Sequence, residues 1–428
     1  MEARRAGDER DLDAVTGRIV SELLTRSHLL PPGTVTEALV EAARPLGISG
    51  ACIYLADLQQ RDLRALPGST GQFPEVLAID STIAGRVYQT ISIHHRPACG
   101  GRDEHRVWIP LIDGTERLGV LELIARDIGE GMLARYRALA SLAGLMIVSK
   151  AGYSDTFTQT RRSREMALQA EMVWAFLAQR TFATERVLIA AAIEPAYEVG
   201  GDAFDYSLTG DRLYASVFDA AGHDLAAGLL ASVAVAACRN TRRSGGTLAA
   251  IAARADQAIA GEFGGSRFVT ALLCELDIAT GQFSWIPCGH PPPLLIRGNK
   301  VIKELARRPQ LPLGIGELDR CAGYGVYGGE HQGEAGAPVH TERLEPRDRV
   351  LLYTDGVTEG RAADGTAFGE QRLSDFIIRH SNAGTSAPEA LRRLNRAITE
   401  YQHGRLSDDA TVVMLEWMPD HPERQLTP

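Results

Sequence analysis

Four aspartates stand where apolar runs begin or end, and carboxylates in such places are the material of a hard-cation site. Gly200-Gly201-Asp202 precedes the run Ala203 to Leu208, and Phe218-Asp219-Ala220-Ala221-Gly222-His223 closes the run that starts at Leu213. Between them, Gly210-Asp211 suits a two-residue hairpin turn. That turn pairs Thr209 with Arg212, and counting outward along both strands brings Asp202 opposite Asp219. Carboxylates opposed across a ladder at about 5 Å repel, so the pairing points to a cation between them. Asp355 follows Val350-Leu-Leu-Tyr-Thr354 and precedes Gly356, while Asp408-Asp409 stands just before the run Thr411 to Trp417. Taken singly, Asp-Gly after a strand is a turn; four acids at strand ends in one segment are a pattern. An oxygen-only set, with no clustered His or Cys, suits Mg²⁺ or Mn²⁺ rather than zinc. In an extended segment the Asp409 side chain alternates away from Asp408, so Asp409→Asn is expected to be mild. His223 and His290 are the nearest candidate general acids, but both sit in glycine-bounded turns, where a histidine is more often structural.

Three segments position these residues. The first, 12–150, reads as helix over Leu12 to Leu46 (broken at Pro31-Pro32), a strand at Gly50 to Ala56, a hairpin from Arg106 to Ile124 turning at Asp113-Gly114, and a helix from Met132 to Val148. The second, 155–184, reads as a helical linker. Met166, Ala170, Val173 and Leu177 are spaced 4, 3 and 4, the seam of a two-heptad coiled coil and hence of a homodimer; a surface helix packed on its own domain fits the same spacing. The third, 186–418, alternates runs of strands with helices at Ala226 to Arg239, Thr247 to Phe263 and Pro388 to Tyr401, and carries a glycine-rich loop near 314–336. Strands grouped in runs, with helices segregated between them, predict a layered α+β sandwich and not a doubly wound parallel sheet.

The third segment resembles the metal-dependent PPM protein phosphatases of the SpoIIE/RsbU-type branch. The motifs come in family order: Glu198-Val-Gly-Gly-Asp-Ala-Phe-Asp205, Asp219-Ala-Ala-Gly-His223, Phe268-Val-Thr-Ala-Leu-Leu273, Cys288-Gly-His-Pro-Pro-Pro293, Leu311-Pro-Leu-Gly-Ile315, Tyr353-Thr-Asp-Gly-Val-Thr-Glu359 and Asp408-Asp-Ala-Thr411. The resemblance implies an α-β-β-α sandwich holding two Mn²⁺ or Mg²⁺ ions. It makes Asp219 the bridge, with the Ala220 carbonyl completing one site, Asp355 and Asp408 holding the first ion and Asp202 serving the second. It also implies hydrolysis of phosphoserine or phosphothreonine, on a phosphorylated anti-anti-sigma factor of a partner-switching pathway. One position departs: the family usually has glycine where Asp224 stands, and Asp224 is placed to cap the following helix. The first segment looks like a GAF sensor domain, mainly through Leu77 to Tyr88 and the hairpin.

Two rival readings are weaker. Gly200-Gly-Asp-Ala-Phe204 superficially resembles the diguanylate cyclase signature, but Ala203 stands where that signature needs Glu. A non-catalytic regulatory binding module with a phosphatase-like fold is the alternative, and the retention of all four acids counts against it.

Composition bounds the rest. The 428 residues are 45% apolar and 23% charged with a net charge of −9, ordinary globular usage without a nucleic-acid footprint. The charged start and the short Ala-rich run Leu225 to Cys238 predict neither a signal peptide nor a membrane span. Cys52, Cys99, Cys238, Cys274, Cys288 and Cys321 form no C-x-x-C pair, which fits reduced core thiols in a cytoplasmic protein. Cys52 lies in an apolar strand, Cys99 is not followed by the histidine of bilin-binding relatives, and His94, His95 and His105 lack ligand spacing.

Overall fold

The computed structural model describes residues 2–98, 103–298, 300–308, 310–315, 337–382, 384–404 and 406–419. From residue 316 on, the glycine-rich stretch expected as a loop lies outside the described residues, as do Cys99 and Cys321. The chain divides into two compact units, Met1–Arg164 and Glu165–Gln425.

In the first unit, α1 (Glu2–Ser27) and α2 (Val35–Ala43) flank the break at Pro31-Pro32. Strands β1 (Ile48–Ala56), β2 (Asp62–Ala65) and β3 (Val76–Ala78) lead to α3 (Ile83–Thr90), and β4 (His94–Pro97), β5 (His105–Asp113) and β6 (Glu116–Ala125) to α4 (Glu130–Ala151) and α5 (Thr156–Arg161). The sheet is antiparallel in the order β3-β2-β1-β6-β5-β4. Successive side chains on β1 point to opposite faces. Ile53 and Leu55 join the core that also buries Leu39, Tyr136 and Leu139, whereas Cys52 and Tyr54 join a second cluster with Val87 and Trp108. This sheet-and-helix arrangement is consistent with the GAF-like module expected. By length and composition α4 is apolar enough to cross a membrane, a property unremarked in the sequence. Its Tyr136, Leu139, Ala143 and Ile147 are buried in the unit's own core.

The second unit opens with α6 (Leu168–Phe176) and β7 (Thr181–Ala183), followed by β8 (Val187–Glu194), β9 (Asp202–Thr209), β10 (Arg212–Ala220), α7 (Leu225–Arg243) and α8 (Leu248–Phe263). Strands β11 (Val269–Asp277), β12 (Gln282–Cys288), β13 (Leu294–Arg297), β14 (Lys300–Glu304), β15 (His340–Arg343) and β16 (Arg349–Tyr353) come next, then α9 (Asp355–Glu359), α10 (Gly369–Asn382), α11 (Ala387–Tyr401) and β17 (Ala410–Trp417). They form two antiparallel sheets, β15-β12-β11-β10-β9 and β14-β13-β16-β17-β8-β7. Alternation on β8 builds the layers: Val187, Ile189 and Ala191 share a core with Val217, Phe283 and Val413, while Ala190 and Ala192 pack with Leu373, Leu391 and Leu394 of α10 and α11. Helices α7 and α8 cover the other sheet through Leu230, Ala234, Ile251 and Ile259. The result is the expected α-β-β-α sandwich.

The linker is a correction. Residues 155–184 are not one helix: α5 falls in the first unit, and α6 and β7 in the second. Ala170 and Val173 are 0% and 2% exposed inside the second unit's core, with Met166 and Leu177 packed against it. Gln169 lies close on Gly228 of α7, where a β-carbon would stand 3.1 Å from that of Gln169. A 4-3-4 apolar spacing serves a helix docking on its own domain as well as a coiled-coil seam, and here the domain takes it. The seam proposed for a homodimer is therefore spent inside one chain.

Candidate metal centre

The register read from the Gly210-Asp211 turn is the one observed: β9 and β10 pair Thr209 with Arg212 and Asp202 with Asp219. Gly210 takes a left-handed φ of 57° at the turn, and every pairing between them follows without a bulge. The glycines before Asp202 make room. A β-carbon on Gly200 would lie 2.6 Å from the His223 carbonyl, and one on Gly201 would lie 2.5 Å from the Ala220 carbonyl. The loop after Asp219 can thus fold back over the start of β9, and the Ala220 amide donates to the Gly201 carbonyl at 3.1 Å.

The remaining acids arrive from the other sheet. Asp355 opens α9 directly after β16, and Asp408 precedes β17, the strand between β16 and β8. Gly356 lies so close against the Asp409 backbone carbonyl that no side chain would fit between them. Three buried contacts lock the two sheets together at this end. The Thr354 hydroxyl accepts from the Thr411 amide (2.9 Å) and donates to Asp202 Oδ2 (2.7 Å). Asp409 Oδ2 accepts from the amides of Gly200 (2.8 Å), Gly201 (2.8 Å) and Asp202 (3.2 Å). His290 reaches Thr270 Oγ1 with Nδ1 (2.8 Å) and the Tyr353 carbonyl with Nε2 (3.0 Å).

The electrostatics are those of acids gathered without cationic side chains among the described residues. Burial, and then the charges of Asp355, Asp408 and Asp409, push the Asp219 carboxyl up to about 7. Burial, Asp409 and Asp219 hold Asp202 well above the usual carboxylate range, and burial with Asp408 and Glu359 raises Asp355. Burial also raises Asp409, against the pull of the three amides that it accepts from. Among the described residues, none of Asp202, Asp219, Asp355, Asp408 and Asp409 pairs with an Arg or Lys, and each perturbs or is perturbed by another acid. No three His, Cys, Asp or Glu side chains among the described residues are gathered tightly enough to hold an ion unaided. The donor set is oxygen-only, the chemistry of a hard cation such as Mg²⁺ or Mn²⁺, whose shell carbonyls and water also fill. The residues present fit such ions.

Residues 209–418 match the family model described as Stage II sporulation protein E (SpoIIE). The second unit is a SpoIIE-type PPM phosphatase domain. The chain is 22% identical over 288 residues to the phosphoserine phosphatase RsbU of Bacillus subtilis (strain 168), a match covering 65% of this chain and 79% of RsbU. Among solved structures, the RsbU and RsbW domains of a Mycobacterium tuberculosis protein align with 25% identity and a TM-score of 0.44, over 55% of this chain and 61% of that one. The SiaA-PP2C domain of Pseudomonas aeruginosa aligns with 21% identity and a TM-score of 0.44, over 58% of this chain and 94% of that one.

Within this SpoIIE-type domain, Asp202, Asp219, Asp355 and Asp408 come to one end of the sandwich, with Asp202 the most deeply buried at 1% exposed. His223 is exposed, its backbone folded over Gly200, whereas His290 is buried and spends both ring nitrogens on hydrogen bonds. Burial pushes the His290 ring down to about 4. Asp224 caps α7 as expected, its Oδ1 accepting from the Ala227 amide at 2.9 Å, and it also pairs with Arg267 at 3.1 Å. Asp205, in the same motif as Asp202, lies outside the acid cluster and between Arg239 (2.6 Å) and Arg242 (2.9 Å). Asp409 is the residue that the alternation argument undervalued. Its side chain does point away from Asp408, but towards the Gly200–Asp202 amides rather than into solvent. Thr354, Thr270 and Asp409 carried no sequence signal of their own beyond their places inside the motifs.

Proposed function

We propose that this chain removes phosphate from phosphoserine or phosphothreonine of a protein substrate, using two divalent ions held by Asp202, Asp219, the Ala220 carbonyl, Asp355 and Asp408. One observation carries the reading: Asp202 and Asp219 face each other on one ladder, and acids from the opposite sheet raise Asp219 further while, among the described residues, no cationic side chain offsets them. When bound, Mn²⁺ or Mg²⁺ would lower the pKa of water to near neutrality and offset charge on the phosphoryl oxygens. The chain's part is to hold that charge in place. Asp219 faces both sheets' acids, Asp409 and Thr354 fix Asp202, and the glycine at 201 keeps the Ala220 carbonyl clear of a side chain. No nucleophilic side chain is needed, and the exposed His223, whose backbone lies against Gly200, is the candidate to move a proton at the rim.

The substrate inferred is a phosphorylated anti-anti-sigma factor of a cytoplasmic partner-switching pathway, with the GAF-like unit as the sensor. Its support is the family of the phosphatase domain and the similarity to RsbU. The test is hydrolysis of p-nitrophenyl phosphate and of a phosphorylated anti-anti-sigma factor by the full chain, with Mn²⁺ and then with EDTA. Activity on both that EDTA abolishes is the expected result. Activity surviving EDTA would remove the ions from the reading. Mn²⁺ binding without hydrolysis of either would favour the non-catalytic module.

A further inference from the structure

Thr270 stands directly opposite Asp219 on the β10–β11 ladder. Its hydroxyl oxygen is 3.4 Å from Asp219 Oδ2 and 2.8 Å from His290 Nδ1. A hydroxyl has one proton and two lone pairs, so it can donate to only one of these neighbours. The other end of the imidazole decides which. His290 Nε2 lies 3.0 Å from the Tyr353 carbonyl, and a carbonyl only accepts, so Nε2 carries the ring proton. In a neutral ring, Nδ1 is then an acceptor, and the Thr270 proton goes to it. The shorter of the two Thr270 contacts agrees. Thr270 therefore turns lone pairs, not a proton, towards Asp219. A lone pair facing a carboxylate is unfavourable by itself. It becomes useful when the space holds a proton donor such as a water in a cation's shell.

We propose that His290 is a positioning residue that fixes Thr270 as a hydrogen-bond acceptor facing the acid cluster, while the same ring ties β11 to the end of β16 beside Asp355. This goes beyond the hydrolytic reading by giving two residues outside the acid set a defined task, and it rests on that reading for the cation. Its logic is that of outer-shell groups around metal ligands, whose loss costs roughly 10–100-fold in affinity.

The experiment uses the full chain. First, ¹⁵N NMR of histidine-labelled protein, with the resonance assigned by its absence in His290→Gln, reads the tautomer without any metal. The Nε2–H form is expected, and the Nδ1–H form would overturn the proposal. Second, calorimetry reads Mn²⁺ affinity in Thr270→Val, Thr270→Ser and His290→Gln, with circular dichroism confirming the fold of each. The valine variant, and the glutamine variant that keeps a donor to Tyr353 but offers Thr270 no ring nitrogen, are expected to bind roughly tenfold more weakly. Serine, which restores the hydroxyl, is expected to stay within about twofold of the wild type on the same scale. Wild-type affinity in folded Thr270→Val would overturn the proposal while leaving the cation reading intact. A wild-type chain that binds no Mn²⁺ would overturn both.

Discussion

Asp202 and Asp205 lie three residues apart on one strand, both buried, and their surroundings are opposite. Asp205 sits mid-way along β9, between the guanidinium groups of Arg239 and Arg242 from the C-terminal half of α7. Asp202 opens the same strand, among Asp219 and Asp409, with a threonine hydroxyl as its donor. A buried charge must be matched or it becomes costly. At Asp205 the protein supplies cationic partners; at Asp202 the neighbours are acids and a hydroxyl. The difference separates a carboxylate that holds the fold from one that the proposed function assigns to the ions, although both belong to the same eight-residue motif.

The comparison breaks most visibly at Asp219. Asp219→Asn removes the charge that faces both sheets' acids, and turnover with Mn²⁺ is expected to fall by on the order of 100-fold or more, read with p-nitrophenyl phosphate. The same change relieves like-charge repulsion, so the metal-free variant should melt higher than the wild type. Near-normal turnover would place the ions elsewhere. Asp205→Ala should do the reverse. It strands Arg239 and Arg242 and is expected to cost about 3–5 kcal/mol in denaturant unfolding, metal present or absent. Asp409→Ala falls between: three amides lose their shared acceptor, at about 1–3 kcal/mol, with weaker Mn²⁺ binding because Asp202 is no longer held. Asp409→Asn keeps an accepting oxygen and should lose less. The smallest effect is with pH. Asp219 binds its proton more tightly folded, at about 7, than unfolded, at about 3.9. The stability it contributes is thus whole below about pH 4 and lost as pH rises through 7. Metal-free protein should melt lower at pH 8 than at pH 5.5, and saturating Mn²⁺ should flatten that slope.

Much of the second unit was legible because local rules fix it. The Gly210-Asp211 turn sets the β9–β10 register, and the long apolar runs of β8, β11, β16 and β17 could hardly be anything but strands. Short or polar elements were missed: β14 and β15 are four or five residues with exposed faces, and α10 begins inside a polar stretch. The start of the domain was misplaced, because Ala170 and Val173 have the spacing of a seam and only the fold shows what fills it. A fragment beginning at 186 would lose α6 and strip apolar cover from α7, so Glu165 is the sounder start. The inter-sheet locks were invisible for a different reason. Thr354 to Asp202, Asp409 to Gly200 and His290 to Tyr353 each join residues 63 to 209 positions apart in the chain, where no local periodicity operates.

The position of β17 bears on when the protein becomes competent during its synthesis. This strand lies inside its sheet, hydrogen-bonded to β16 on one side and β8 on the other. The residues entering it bring Asp408 to the acid cluster and Asp409 to the Gly200–Asp202 amides. Until the ribosome has released residues 408–417, β8 and β16 have no strand between them and the cluster is one carboxylate short. A nascent chain can bury the first unit's core early, since domains fold as they emerge. The phosphatase domain must instead wait for a late closure between segments some 220 positions apart, a long-range pairing of the kind that folds slowly. Translation order thereby withholds the complete acid cluster until residue 417 has emerged.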